Sequence, residues 1–311
     1  MDHKSIAMTH QETIDRPQVA IMNAVHDLPV LVARDEGFFE DEGLDIRFVT
    51  TPGMAQVTTS HSVKWNSVLD RPLDSIYNDG GIDQYRMCEW GIMKRAVEAD
   101  SEGLRKRKIV ALGASMSSFA IAVAPDSDIY EPEQLKDKAI AVTPNNGSNF
   151  TTLKMMEGFL THEHIETTNA GSMPQRLEAM RRGKVEAICL MEPWISVAEK
   201  QGMRILIESH STRSEAASDD LDGPTLAAMF RAQARAVKVL EKDPTPYIHY
   251  FAAETGGLLE PHELRTSRLV HAPPQPYTRE RFDDTYSWTE KWNMVVPGAT
   301  YENTVDNRAW E

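Results

Sequence analysis

Gly81-Ile82-Asp83-Gln84-Tyr85-Arg86-Met87-Cys88-Glu89-Trp90-Gly91 reads as a strand over 82–86, a turn at Met87 and Cys88, and a helix over 92–99. The turn holds a thiol beside a carboxylate and an indole. Turns at the carboxyl ends of strands are where open α/β sheets bind their ligands. The same unit recurs on both sides. Before it, 19–22 reads as a strand, 28–36 carries apolar residues at helical spacing up to Gly37, and 44–50 alternates as a strand does. After it, 108–112 and 119–124 are apolar runs of strand type, with Ser115-Met116-Ser117-Ser118 between them as a candidate hinge. A second series follows: Leu135 in a helix, a strand at 139–143, the loop Pro144-Asn145-Asn146-Gly147-Ser148, and a helix over 149–161. Helices at 174–182 and 195–201 then alternate with strands at 187–190 and 204–207. This alternation predicts an α/β protein with parallel sheets and right-handed crossovers, and two such series predict two lobes. Residues 225–241 predict a long helix, started by Asp222-Gly223-Pro224-Thr225 and closed by Asp243-Pro244. The remainder reads as helical or irregular, residues 1–17 as a mobile tail, and 64–70 as a helix.

A chain of 311 residues is long enough for two lobes and a substantial core. With 33 Lys plus Arg against 47 Asp plus Glu, the net charge is −14. Such a chain repels phosphate backbones and anionic membranes, and it has no basic stripe to offset that, so no nucleic-acid partner is expected. No window approaches the length of a membrane span, so no membrane insertion is expected. The polar start Met1-Asp2-His3-Lys4-Ser5 lacks the apolar run of a secretory signal, and the expectation is a cytoplasmic protein. The two cysteines, Cys88 and Cys189, read as free thiols.

Three stretches carry a family likeness. Leu28-Pro29-Val30-Leu31-Val32-Ala33-Arg34-Asp35-Glu36-Gly37-Phe38-Phe39-Glu40-Asp41-Glu42-Gly43-Leu44-Asp45-Ile46 resembles the opening helix and strand of nitrate/sulfonate/taurine-type solute-binding proteins. Leu135-Lys136-Asp137-Lys138-Ala139-Ile140-Ala141-Val142 is similar to that family's entry into the second lobe. Arg182-Gly183-Lys184-Val185-Glu186-Ala187-Ile188, followed by Glu192-Pro193, is similar to its later strand and cleft turn. The resemblance implies the type II periplasmic-binding-protein fold: two α/β lobes, a two-strand hinge and an interlobe cleft. Lobe I is then expected as 18–117 with 209–311, and lobe II as 118–208. Enzymes use the same fold, among them thiamine-pyrimidine synthases, an aromatic desulfinase, a dihydroxyphthalate decarboxylase and menaquinone-pathway lyases, so fold does not choose between binding and catalysis. Two departures narrow the field. The lysine, histidine and cysteine-rich run of the pyrimidine synthases have no counterpart here. The desulfinase's nucleophilic cysteine falls where this chain has Ala24-Val25-His26-Asp27.

The candidate site residues lie on the turns that this fold aims at its cleft. Cys88 sits at a helix start, which favours a thiolate, with Glu89 or His26 as acid/base partner. Trp90 would wall the pocket and stack on a ring. Asn145, Asn146, Gly147 and Ser148 offer backbone N–H groups and a hydroxyl to a carboxylate, sulfonate or phosphate. Asp27, Ser115, Glu192 and Trp194 complete the expected ligand contacts. Cys189 is read as core, His61 and Lys64 carry no specific signal, and His162 and His164 flank Glu163 at a solvent-facing helix end. No spacing resembles a zinc site, a nucleophile elbow or a dinucleotide fingerprint, so neither metal nor cofactor is expected. The leading expectation is a cytoplasmic lyase or hydrolase acting on a small anionic, cyclic metabolite, including C–S or C–N cleavage with Cys88 as nucleophile or acid/base. The alternative is the solute-binding component of an ABC importer for a sulfonate-, nitrate- or pyrimidine-type anion, whose partner would be a permease. A metabolite sensor is the third reading, and a homodimer is compatible with each.

Overall fold

Side-chain chemistry starts the first helix earlier than its apolar spacing suggests. In a computed structural model, which describes residues 16–51 and 72–311, Asn23 caps α1 (Ala24–Asp35) by accepting from the His26 N–H. Apolar spacing puts the start at Leu28, but Pro29 lies inside the helix, and ten of the twelve residues, Ala24 through Ala33, are buried. His26 and Asp27 therefore belong to a first helical turn and not to the end of a strand. The expected tail up to residue 15, Ser60-His61-Ser62-Val63-Lys64-Trp65 and the helix at 64–70 lie outside the described residues.

Around α1 the chain lays down β1 (Gln18–Ile21), α2 (Phe38–Asp41), β2 (Arg47–Thr50), α3 (Pro72–Asn78), β3 (Gln84–Met87), α4 (Glu89–Glu102) and β4 (Lys108–Val123). Then come β5 (Ala139–Val142), α5 (Gly147–Met156), β6 (Glu166–Asn169), α6 (Met173–Arg181), β7 (Ala187–Met191), α7 (Trp194–Lys200) and β8 (Arg204–Ala217). The C-terminal part holds α8 (Gly223–Lys242), α9 (His249–Glu254), β9 (Val270–His271), α10 (Arg279–Lys291) and α11 (Tyr301–Thr304).

Among the described residues nine strands form one mixed sheet, in the order β2-β1-β3-β8-β4-β7-β5-β6, with β9 added to β4. Parallel pairing holds at both ends: β1 with β2 and β3, and β5 with β6 and β7. The centre is antiparallel, because β4 and β8 pair with each other from Lys108–Ala217 to Val123–Arg204. The two apolar runs expected at 108–112 and 119–124 are thus one strand, and Ser115-Met116-Ser117-Ser118 lies within it. The irregularity survives as a register shift between Leu112 and Met116, where β9 pairs with Ser115 and Met116. Likewise β8 continues ten residues beyond the expected end at Ile207. Its second half, Ser-Thr-Arg-Ser-Glu, is polar, yet β4 pairs along it and β3 joins from Ser214 onward, so backbone pairing and not apolar side chains keeps it a strand.

The interior also holds an ionic core. Arg86, Arg95, Arg107, Arg176 and Arg213 are among the largest fully buried side chains. Arg95 and Arg107 both hold Asp74, each at 2.8 Å. Arg86 binds Asp27 at 2.7 Å and Glu215 at 3.2 Å. Burial opposes the Arg86 charge, but Glu215 and Asp27 together raise its pKa above the ordinary value. Burial and the neighbouring Asp27 charge push Glu215 up to about 7.

Candidate functional site

Between the two ends of the sheet lies a cavity of about 490 Å³, lined by the first turn of α1, the end of β3, the start of α5, β8 and the turn after β7. Such a volume suits a small molecule. Cys88 is the N-cap of α4 and lines this cleft, as do His26, Asn145, Asn146, Gly147, Ser148, Glu192 and Trp194.

The loop before α5 is organised by its own side chains. Asn145 takes a left-handed φ of +55°, and Asn146 caps the helix by accepting from the Ser148 N–H at 2.8 Å. The Ser148 hydroxyl donates to Asn146 Oδ1 at 2.8 Å and accepts from the Thr143 N–H at 3.0 Å. Gly147 sits close to its neighbours. A Cβ there would lie 3.1 Å from Arg213 Nη1, 3.6 Å from the Phe119 ring and 3.8 Å from Cys88 Cβ. Arg213 and Cys88 are therefore immediate neighbours of the α5 start.

Four of the expected contacts lie elsewhere, each for a local reason. Asp27 turns inward, accepting from the Met22 and Asn23 N–H groups at 2.6 and 3.0 Å while pairing with Arg86. Glu89 points away from the cleft, accepting from the Tyr277 hydroxyl at 2.7 Å and pairing with Arg281 at 2.8 Å. One residue along a helix turns a side chain by about 100°, so Cys88 and Glu89 face different neighbours. Trp90 packs with Phe150, Leu153 and Trp288 and donates to the Met294 carbonyl at 3.2 Å. Ser115 donates to the His26 carbonyl at 2.6 Å and so braces the first turn of α1. Glu192 does line the cleft, but its carboxylate is engaged by Ser196 and by Arg268 at 3.1 Å. Cys189 is fully buried in β7.

The structure adds two cations to the cleft. Arg213 is 1% exposed, and its acceptor among the described residues is the neutral Ser211 carbonyl, at 3.2–3.3 Å. Arg176, also 1% exposed, donates to the Gly171 and Cys189 carbonyls and to the Thr143 and Ser148 hydroxyls. Neither has a carboxylate partner among the described residues. Burial therefore lowers both pKa values, that of Arg176 to about 10. A guanidinium keeps its proton inside a protein, so both are cations at neutral pH. His26 responds in the opposite sense: burial, with the Arg213 and Arg86 charges, holds it well below the ordinary imidazole range. It is a neutral ring whose Nδ1 is buried and unpartnered.

Glu254 at the end of α9 is the other group that the sequence did not flag. It lines the cleft and accepts from the Ala24 N–H. Burial, reinforced by the Asp27 charge, pushes it up to about 8. A carboxyl raised from 4.5 costs the fold stability as pH climbs from 4.5 towards 8, because the folded state holds its proton longer than the unfolded chain does. Tm of the ligand-free protein is therefore expected to fall across that window. Glu254→Gln keeps an acceptor for Ala24 and should fall less steeply. Equal slopes in a calorimetric pH series would refute the assignment.

Comparison with known proteins supplies the family and the fold. A family model described as the NMT1-like family matches residues 15–233. No curated protein sequence matches the chain. The alkanesulfonate-binding protein SsuA from Xanthomonas axonopodis pv. citri, solved bound to MOPS, superposes with a TM-score of 0.71 at 17% identity, covering 94% of this chain and 98% of that one. The periplasmic nitrate-binding protein NrtA from Synechocystis PCC 6803 gives 0.66 at 12% identity, over 95% and 87%. The desulfurization enzyme DSZB gives 0.56 at 10% identity, over 92% and 95%. At these identities the likeness shows the fold, which is that of the periplasmic-binding-protein-like structures.

Proposed function

The chain belongs to the NMT1-like family, and from that premise we propose that it binds a small organic oxyanion in the cleft, as a sulfonate- or nitrate-type solute-binding protein does. One observation carries the reading: Arg213 is a buried cation with no carboxylate partner among the described residues, set against the N-terminus of α5. A buried charge needs a counter-charge, and a helix N-terminus adds a partial positive charge and free N–H donors to the same spot. An anion bound there would satisfy both. Arg176 adds a second positive charge behind the loop. The structural neighbours whose titles name sulfonate or nitrate binding favour this reading over turnover. Calorimetric titration of the full chain with alkanesulfonates, nitrate and short carboxylates tests it, and absence of heat with every anion would overturn it.

The proposal divides the chain into lobe I (18–117 and 209–311) and lobe II (118–208). Both crossings then fall in the β4–β8 pair, where Ser118 faces His210 and Phe119 faces Ser209. Under this reading the partner is an import permease.

A second reading, turnover of the bound anion by a lyase or hydrolase, is favoured by the presence in one cleft of Cys88 and a neutral His26 ring whose Nδ1 is unpartnered. In that reading Cys88 would attack and His26 would carry the proton, and the protein would be cytoplasmic. Iodoacetamide should then label Cys88 well before the fully buried Cys189, and a bound anion should protect it. Labelling at equal rates would remove the thiol from the site.

A further inference from the structure

Cys88 and Arg213 meet at one point of the cleft wall. A Cβ on Gly147 would lie 3.1 Å from Arg213 Nη1 and 3.8 Å from Cys88 Cβ, so both side chains press on the same backbone position at the start of α5. On the other side of the thiol, a Cβ on Gly91 would lie 3.2 Å from Cys88 Sγ and 3.4 Å from Arg95 Nη1, but Arg95 is committed to Asp74. Arg213 has no such commitment. Its Nε and Nη2 donate to the Ser211 carbonyl, and its Nη1 has no acceptor among the described residues. Burial lowers the Arg213 pKa, and the groups that oppose this are Cys88 and Glu89, of which Glu89 is held by Tyr277 and Arg281. The thiol is equally unused: Cys88 is the N-cap of α4, yet its Sγ makes no capping hydrogen bond, and it lines the cavity. His26, 7% exposed on the same cavity, keeps a buried Nδ1 without a partner. A sulfur, an uncompensated cation and an idle ring nitrogen thus share one small space.

We propose that Cys88 is a modification site that takes one oxygen atom from a small hydroperoxide, and that the resulting sulfenate fills the anion position beside Arg213. The thiolate is the attacking form. Sγ attacks one peroxide oxygen, the O–O bond breaks as the S–O bond forms, and sulfur is oxidised by two electrons. The other oxygen leaves as water, or as an alcohol from an organic hydroperoxide, carrying the thiol's proton. Arg213 and the α5 N-terminus stabilise negative charge on the leaving oxygen, and His26 Nδ1 is left to hydrogen-bond the peroxide. The sulfenic acid then gives its proton to solvent and stands as the counter-charge that Arg213 lacks. A sulfenate is returned to the thiol by added thiols, so the cleft closes to outside anions reversibly. The loss of anion binding rests on the reading above; the modification itself rests on the geometry of Cys88 and Arg213.

Hydrogen peroxide, in small molar excess over the full chain at neutral pH, is the probe. Peptide mass spectrometry should find the oxidation at Cys88, trapped with dimedone as the protein is unfolded, with Cys189 unmodified. Calorimetric titration with propane-1-sulfonate, nitrate and acetate should show affinity reduced roughly tenfold or more after peroxide. Dithiothreitol should restore it, which it would not do for sulfoxides of Met22, Met87, Met173 or Met191, the methionines of the same cleft. Cys88→Ser, compared with itself before and after peroxide, should lose no affinity. Oxidation should also raise the Tm of the ligand-free protein, a gain that Arg213→Met should lack. Absence of the Cys88 adduct, or an adduct that leaves anion affinity unchanged, overturns the proposal. If the reduced protein binds none of the three anions, the anion-binding reading fails by itself. The adduct with a raised Tm then still upholds the sulfenate and its pairing with Arg213, and a Tm that stays or falls overturns them.

Discussion

Arg213→Met is expected to weaken anion binding by about 100-fold or more while raising the Tm of the ligand-free protein. The two effects have one cause. Arg213 is buried, bonded to a backbone carbonyl and unpaired with any carboxylate among the described residues, so the empty protein bears the cost of a desolvated charge. Removing a buried charge that lacks a partner relieves that cost. A bound anion, by contrast, would form charge-assisted hydrogen bonds with Arg213, worth about 1.5–3 kcal/mol each. Methionine fills a similar volume without the charge. Calorimetric titration and scanning calorimetry on the same preparation measure both effects. A variant that binds anions as well as the parent removes Arg213 from the site. A variant that loses both binding and stability makes Arg213 a scaffold residue instead.

Arg86→Met should give the largest loss of stability, about 3–5 kcal/mol, because it strands two buried carboxylates at once. Asp27 and Glu215 are both fully buried and share this one guanidinium, at 2.7 and 3.2 Å. The loss should show as a lower urea midpoint at unchanged m-value. It should also shrink on acidification. Glu215 already titrates at about 7 with Arg86 present, and without that cation both carboxyls keep their protons to higher pH. The folded state then binds the extra protons, so stability rises as pH falls from 8 towards 5. A destabilisation that does not vary with pH would show that packing, and not charge, is what Arg86 contributes.

Much of the architecture is legible in the chain because it is local. The strand–turn–helix units at β3–α4 and β5–α5 declare themselves through apolar spacing, and the Asn146 cap and the Gly147 turn stand where turn chemistry expects them. Errors appear wherever a neighbour in space replaces a signal in sequence. The polar half of β8 is a strand because β4 pairs along it and β3 joins from Ser214 onward. Asp27 and Glu89 read as cleft carboxylates because their turns are cleft turns, yet Arg86 and Arg281, 59 and 192 residues away in sequence, claim them. Trp90 reads as a pocket wall and instead packs on α5 and α10. A signal for Arg213 exists in the alternation Ser211-Thr212-Arg213-Ser214-Glu215, which sets Arg213 and Glu215 on one face if the strand is carried past Ile207.

By itself, then, the sequence determined the α/β alternation, the turn bearing Cys88 and the capped loop at Asn145-Asn146-Gly147-Ser148, since propensity, capping and turn geometry act over a few residues. Which charges stay unpaired is a different kind of fact. It depends on long-range pairing, which silences Asp27 and Glu89 while leaving Arg213, Arg176 and Glu254 at the cleft. Only the tertiary structure decides that, because ion pairing between buried groups is set by distances the fold creates.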